Sequence, residues 1–170
     1  MRYKIKDIGE EGVEVRVAVT EAWLKAECPD VEMRPSPEGV TLKGRIDETG
    51  DEYLLRGTLK GSVVMTCARC LEPANQPIDI PVTVTFAESA GSEDDDAEDE
   101  DVLPIEDGVI DVGTEVRDEL LMALPMRPLC REDCAGICPS CGVNRNLTPC
   151  DCVGRGGGGG KLSALARVKL

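Results

Sequence analysis

Nine cysteines and no histidine leave thiolate sulfur as the soft, metal-seeking ligand of this 170-residue chain. Six of the nine, Cys130, Cys134, Cys138, Cys141, Cys150 and Cys152, fall within residues 129–152, and another pair, Cys67 and Cys70, lies about sixty residues upstream. Two thiolates separated by two residues can grip one tetrahedral ion, because the turn between them aims both sulfurs at a common point. The run Cys138-Pro-Ser-Cys141-Gly142 is the sharpest instance. Proline restricts the backbone after the first ligand, and glycine after the second permits a positive φ or a close approach of backbone to metal. Eight cysteines form four pairs, 67/70, 130/134, 138/141 and 150/152, enough for two closed four-thiolate sites. Joining 138/141 to 150/152 closes a loop of eight residues, which costs little entropy, and leaves 67/70 to join 130/134. The rival arrangement, 67/70 with 138/141 and 130/134 with 150/152, stays open at this point.

The expected cofactor is Zn2+, two ions per chain. A rubredoxin-like iron module uses similar paired cysteines, but apolar, aromatic-rich packing around the sulfurs is expected to tune such a carrier. This chain has one Trp, one Phe and two Tyr, so structural zinc is preferred. A four-thiolate site keeps no open position for water, which argues against metal-assisted hydrolysis. Without histidine there is no Ser-His or Cys-His nucleophile system, and no dinucleotide or phosphate-loop fingerprint is present. The expectation is a protein that is not an enzyme and has no small-molecule substrate. No apolar run approaches the roughly 18–20 residues of a membrane span. The opening Met-Arg-Tyr-Lys-Ile-Lys-Asp lacks an apolar leader. A cytoplasmic location follows as the expectation, where thiols stay reduced and available to metal.

The elements that must position these sulfurs are mostly strands. Val13, Val15, Val17 and Val19 alternate with Glu14, Arg16, Ala18 and Thr20, and Val40, Leu42, Gly44 and Ile46 with Thr41, Lys43, Arg45 and Asp47. A turn at 48–51 separates the latter run from Leu55, Gly57, Leu59, Gly61, Val63 and Met65, whose other face carries Arg56, Thr58, Lys60, Ser62 and Thr66. Ile78, Ile80, Val82, Val84 and Phe86 resume the alternation after Cys67 and Cys70, with Pro81 marking an edge or bulge. The first cysteine pair therefore belongs at the tip of a hairpin. Residues 21–27 suit a short helical turn that packs Trp23 and Leu24 on the sheet, and Cys28 stands alone as a buried bystander. Residues 102–111 suit a short strand or turn pair bending at Gly108. Val112, Val116, Leu120, Ala123 and Leu124 then follow a 3.6-residue period, with Asp111 or Thr114 as cap and Pro125 as stop. This helix should deliver residues 129–134 to the hairpin tip.

The fold class expected is α+β, mainly antiparallel β: a sheet or partly open barrel with one main helix and a C-terminal cysteine-rich zinc-binding region. Residues 1–128 form the β-rich domain, with an acidic, solvated loop at 89–101; residues 129–152 bind metal; residues 153–170 form a glycine-rich linker and basic tail. The formal charge of −14 is unevenly spread. Residues 91–125 carry net −13 and residues 126–170 net +4, so the cysteine-rich end is the basic end. Arg127, Arg131, Arg145, Arg155, Lys161, Arg167 and Lys169 are the candidate phosphate contacts. With so few aromatics, contact with a nucleic acid would be with its shape and backbone rather than with stacked bases.

Taken together, Cys67-Ala-Arg-Cys70-Leu-Glu-Pro73, the acidic stretch, the helix ending Leu-Met-Ala-Leu-Pro125, then Cys130-Arg-Glu-Asp-Cys134-Ala-Gly-Ile-Cys138-Pro-Ser-Cys141-Gly-Val-Asn144 and Cys150-Asp-Cys152 resemble the YceD family of large ribosomal RNA subunit accumulation proteins. The resemblance covers most of the chain, and the five glycines at 156–160 depart from it. It implies a bacterial cytosolic factor needed for large-subunit ribosomal RNA to accumulate through processing, stability or assembly, with that RNA or a ribosomal protein as partner. A zinc-stabilised protein-binding adaptor and the rubredoxin-like redox module are the alternatives.

Overall fold

The computed structural model describes residues 1–88 and 102–154. The acidic stretch at 89–101, and Arg155, Lys161, Arg167 and Lys169 of the tail, lie outside the described residues. Among the described residues the main element is an open five-stranded sheet. It is built from β2 (Val13–Val19), β3 (Met33–Thr49), β4 (Glu52–Thr66), β5 (Pro73–Ala87) and β6 (Val102–Pro104) in that spatial order. The β2–β3, β3–β4 and β4–β5 pairs are antiparallel, whereas β6 joins β5 in parallel. A separate two-stranded ribbon pairs β1 (Arg2–Lys4) with β7 (Val109–Asp111). Among the described residues two α-helices accompany the strands, α1 (Glu21–Glu27) and α2 (Val112–Ala123). It is thus the expected mainly antiparallel α+β architecture, with an open sheet and one main helix, α2, supplemented by a single two-turn helix, α1.

Alternation decides which face is buried. Val15, Val19, Val40, Leu42, Ile46, Leu55, Leu59, Val63, Ile78, Val82 and Phe86 point into one core, capped by Leu24 of α1 and by Val112, Val116 and Leu120 of α2. Cys28 is buried in the same core, and Trp23 packs against its margin. Pro81 sits opposite Thr58, in a part of β5 that β6 leaves uncovered, since β6 pairs only with Thr85, Phe86 and Ala87. Its missing N–H therefore removes no ladder bond from a third strand.

Two features depart from simple alternation. β3 begins at Met33, seven residues before Val40, and runs through Pro35 and Pro37. Its register slips between Pro35 and Val40, because four residues bulge out opposite Ser62. The bulge folds Ser36 over β4, so Ser62 is buried and donates to Ser36 Oγ at 2.7 Å instead of facing solvent. Gly61 makes this possible: with φ +147°, its absent Cβ is the space that the Gly39 carbonyl fills.

Helix α2 starts where the sequence provides a cap. The Asp111 carboxylate accepts from the Gly113 N–H at 2.8 Å and from Arg2 Nε at 3.0 Å. Partial burial works to raise its pKa, but Arg2 and the Gly113 amide outweigh it and hold the group below the usual carboxylate value. Asp111→Ala is expected to cost about 1 kcal/mol in urea denaturation at neutral pH, mostly from the lost cap, since the exposed arginine pair adds little. A group with a depressed folded pKa stabilises fully above its unfolded value, about 4. The penalty of the substitution should therefore shrink as pH falls below that value, through the lower folded one.

Candidate metal centre

The β4–β5 hairpin ends in the turn that carries Cys67 and Cys70, and its backbone is set by two hydrogen bonds. The Cys67 N–H donates to the Glu72 carbonyl at 2.9 Å and the Leu71 N–H to the Cys67 carbonyl at 3.0 Å. The Cys138 turn repeats the pattern: Cys138 N–H to the Val143 carbonyl at 2.8 Å, and Gly142 N–H to the Cys138 carbonyl at 2.9 Å. In both turns the residue after the second cysteine adopts positive φ, +75° at Gly142 and +64° at Leu71. Glycine does this freely. Leucine does so at a cost of about 1–2 kcal/mol, which the rest of the turn must offset.

Helix α2 ends at Ala123, and Leu124 and Pro125 turn the chain toward this tip. The Pro128 carbonyl accepts the Ala68 N–H at 2.8 Å, and the Leu129 carbonyl accepts from Gln76 Nε2 at 3.3 Å. These contacts bring Cys130 and Cys134 over the hairpin tip. The Arg69 guanidinium stitches the two segments together, donating to the carbonyls of Glu132 at 3.3 Å and Cys134 at 3.0 Å. Gly136 passes close beneath, with φ +71°; a Cβ there would stand 2.9 Å from the Arg69 carbonyl oxygen. That same carbonyl accepts the Ile137 N–H at 2.9 Å.

The sulfurs gather into two sets, Cys67, Cys70, Cys130 and Cys134 in one and Cys138, Cys141, Cys150 and Cys152 in the other. Within each set every sulfur lies within 4.8 Å of the others. This is the arrangement that loop closure favours, not the rival grouping. All nine cysteines are free thiols. The closest pairs of the first set are 3.8 Å for Cys67–Cys134 and 3.5 Å for Cys70–Cys130. Sulfurs held about 2.3 Å from a tetrahedral ion stand about 3.8 Å apart, so the set has the dimensions of a four-thiolate cage. A disulfide would need about 2.05 Å. Cys67, Cys70 and Cys134 are buried, and Cys130 closes the cage from the exposed side. In the second set Cys138 is buried, Cys150 and Cys152 are half-buried, and Cys141 is exposed.

The first cysteine of each turn is the readiest to ionise. Burial acts to raise Cys67, but the backbone amides of Arg69, Cys130 and Cys70 outweigh it and bring the thiol to about 6. The amides of Cys141 and Ser140 bring Cys138 to about 6 against the opposing effect of burial. Burial and the neighbouring sulfurs push Cys130 up to about 12, and the Cys141 sulfur, then burial, push Cys152 up to about 12. Against the opposing effect of burial, the Asn146 amide also lowers Cys134, so the first set holds two thiols lowered and two, Cys70 and Cys130, raised.

Residues 55–167 match the model of a family described as the large ribosomal RNA subunit accumulation protein YceD, a stretch that runs from β4 through both cysteine sets. The chain belongs to the YceD family. An uncharacterised protein of Mycobacterium tuberculosis is 34% identical over 99 residues, 58% of this chain and 48% of its own length. YlbN of Bacillus subtilis is 31% identical over 94 residues, 55% of this chain and 53% of that one. The chloroplastic large ribosomal RNA subunit accumulation protein YCED homolog 1 of Zea mays is 26% identical over 129 residues, covering 59% of this chain and 44% of the maize protein. This YceD chain thus spans about half the length of the curated relatives it matches. No solved structure matches it.

Of the basic residues singled out in the sequence, Arg127 and Arg145 are exposed near the YceD cysteine sets. Arg131 is engaged with Asp133 at 3.3 Å and with Asn146 Oδ1 at 2.8 Å. Sequence reasoning missed Arg69, Gly136 and Asn146. A visible signal existed for the last: Asn144 and Asn146 fall between two ligand pairs, where short amides commonly bond neighbouring backbone. Among the described residues no helix is long and apolar enough to cross a membrane.

Proposed function

We propose that this chain is a non-enzymatic, cytoplasmic zinc-binding factor that supports accumulation of large-subunit ribosomal RNA through processing, stability or assembly. The observation that carries the reading is the pair of four-thiolate cages inside a family described by that accumulation role. All-sulfur cages suit zinc, which prefers tetrahedral thiolates and holds them closed. Metal in such a cage shapes a surface and leaves no position for a reacting water. The scarcity of aromatics favours zinc over an iron electron carrier, and metal analysis with an absorption spectrum of the purified protein distinguishes the two.

In this reading Arg127 and Arg145 meet phosphates at the cysteine-clamped end, against the net acidity of the rest of the chain. The double variant Arg127→Glu, Arg145→Glu should bind large-subunit RNA fragments more weakly. The slope of log affinity against log salt should fall by about one for each arginine–phosphate pair removed. Filter binding across a salt series reads this out, and an unchanged slope removes the two arginines from the interface. Ribosome profiles of a strain lacking the gene test the reading as a whole; unaltered large-subunit RNA would overturn it.

A second reading, an adaptor for a basic ribosomal protein, is favoured by one feature at the opposite end of the sheet. A concave site of about 560 Å3 there has Phe86 and Leu103 in its lining with Glu106 and Asp107 beside them, while the lining Arg2 already pairs with Asp111. Affinity capture with and without ribonuclease separates the readings: partners that persist after RNA is removed support the adaptor.

A further inference from the structure

The two cages are not independent. Asn146 lies on the loop between Cys141 and Cys150, two ligands of the second cage, yet its side chain reaches the first. Its Nδ2 donates to Cys134 Sγ at 3.3 Å and to Asn144 Oδ1 at 2.8 Å. Its Oδ1 accepts from the Ala135 N–H at 2.8 Å and from the Arg131 guanidinium at 2.8 Å. The orientation of the amide is forced, because two donors face one end while a sulfur and a carbonyl oxygen face the other. The loop is held in this pose by three further bonds. The Asn146 N–H donates to Asn144 Oδ1 at 3.0 Å, the Arg145 N–H to the Gly136 carbonyl at 2.9 Å, and Asn144 Nδ2 to Glu72 Oε1 at 3.4 Å. Every one of these partners belongs to the loop itself or to the walls of the first cage.

We propose that Asn146 is a positioning residue shared by the two metal sites, through which an ion in the Cys138, Cys141, Cys150 and Cys152 cage raises the affinity of the Cys67, Cys70, Cys130 and Cys134 cage. The inference rests on the reading of both sets as metal sites. An ion in the second cage closes the ends of the loop and so fixes Asn146 against Cys134. An N–H donor on a metal-bound thiolate holds its orientation and spreads its charge, and loss of such outer partners typically lowers metal affinity about 10–100-fold. Coupling of this kind is reciprocal, so each ion tightens the other.

Cobalt titration of the full chain, followed by the thiolate-to-metal and d–d bands, tests this, with chelator competition giving affinities. The wild type should take up two ions, with the Cys67 cage tightened by the other. A Cys150→Ser, Cys152→Ser variant should take up one ion at the Cys67 cage, about 10–100-fold more weakly. Asn146→Ala should still bind two ions but show the same weakening at that cage, and combining all three changes should add nothing further. Asn146→Asp keeps the acceptor for Ala135 and Arg131 and removes the donor, so it tests the N–H···S contact even if the alanine variant folds poorly. In cadmium-113 spectra it should move the resonance of the Cys67 cage and leave the other in place. A wild type that binds two ions, with Asn146→Asp matching it in affinity and spectrum, overturns the coupling alone. A wild type that binds no ion overturns the metal reading and this proposal with it.

Discussion

Cys67→Ser is expected to leave the protein with one bound ion in place of the two proposed, and to free residues 126–137 from the hairpin tip. Cys67 is fully buried, its thiol is brought down to about 6, and its sulfur stands 3.8 Å from that of Cys134. A serine oxygen is a poor soft ligand, and the buried hydroxyl would face three thiols. Structural zinc in small domains supplies about 10–16 kcal/mol at neutral pH, and most of one such contribution should be lost with the cage. Mass spectrometry under native conditions reads the stoichiometry. Hydrogen exchange reads the rest: protection at Ala68 and Ile137 should vanish while that of β2, β3 and the far half of β4 survives. Two ions retained by the serine variant would remove Cys67 from the ligand set.

Leu59→Ala should do the reverse. Leu59 is fully buried at the centre of β4, opposite Leu42 on one side and Ile80 on the other. Truncation there leaves a cavity among aliphatic side chains, and such changes cost about 2–5 kcal/mol. With Phe86 the only phenylalanine in the chain, few large rings are at hand to collapse into the gap. Urea denaturation should show the loss in the sheet, while the folded protein keeps the metal proposed for its two cysteine sets. If instead the ions leave first, the cages depend on the core more closely than their separate locations imply.

These opposite expectations follow from how differently the two halves of the protein are written in its sequence. The sheet is legible because its core face repeats every second residue from Val13 to Phe86, and the turn at 48–51 and the Cys67 turn divide the run into strands. Helix α2 is legible through its 3.6-residue period and the caps at Asp111 and Pro125. What escaped is where local and tertiary demands diverge. Pro35 and Pro37 hide the first part of β3, since prolines weaken any strand signal and are tolerated there only because β2 does not reach that far. Ser62 has the pattern of a solvent-facing residue, and only the bulge covers it. The short β1 carries too few residues for a period to show. In the cysteine-rich region, residue types and spacing singled out the eight cysteines that the fold gathers, and loop entropy leaned toward the grouping it adopts. The supporting amides and Arg69 depend on how two distant segments cross, which spacing alone does not encode.

The two cages also differ in when they can be completed. The second draws its four sulfurs from residues 138–152 and needs only local chain. The first joins the β4–β5 hairpin to a segment beyond Cys130, with α2 and the whole of β6 and β7 between. Contacts that span so much chain form late, because the closure entropy must be met before the ion can reward it. During synthesis the hairpin waits with two open thiols until residue 134 has left the ribosome and α2 has docked. A chain interrupted before Cys130 lacks two of the four sulfurs and cannot build that cage, so the cage reports that synthesis has passed residue 134.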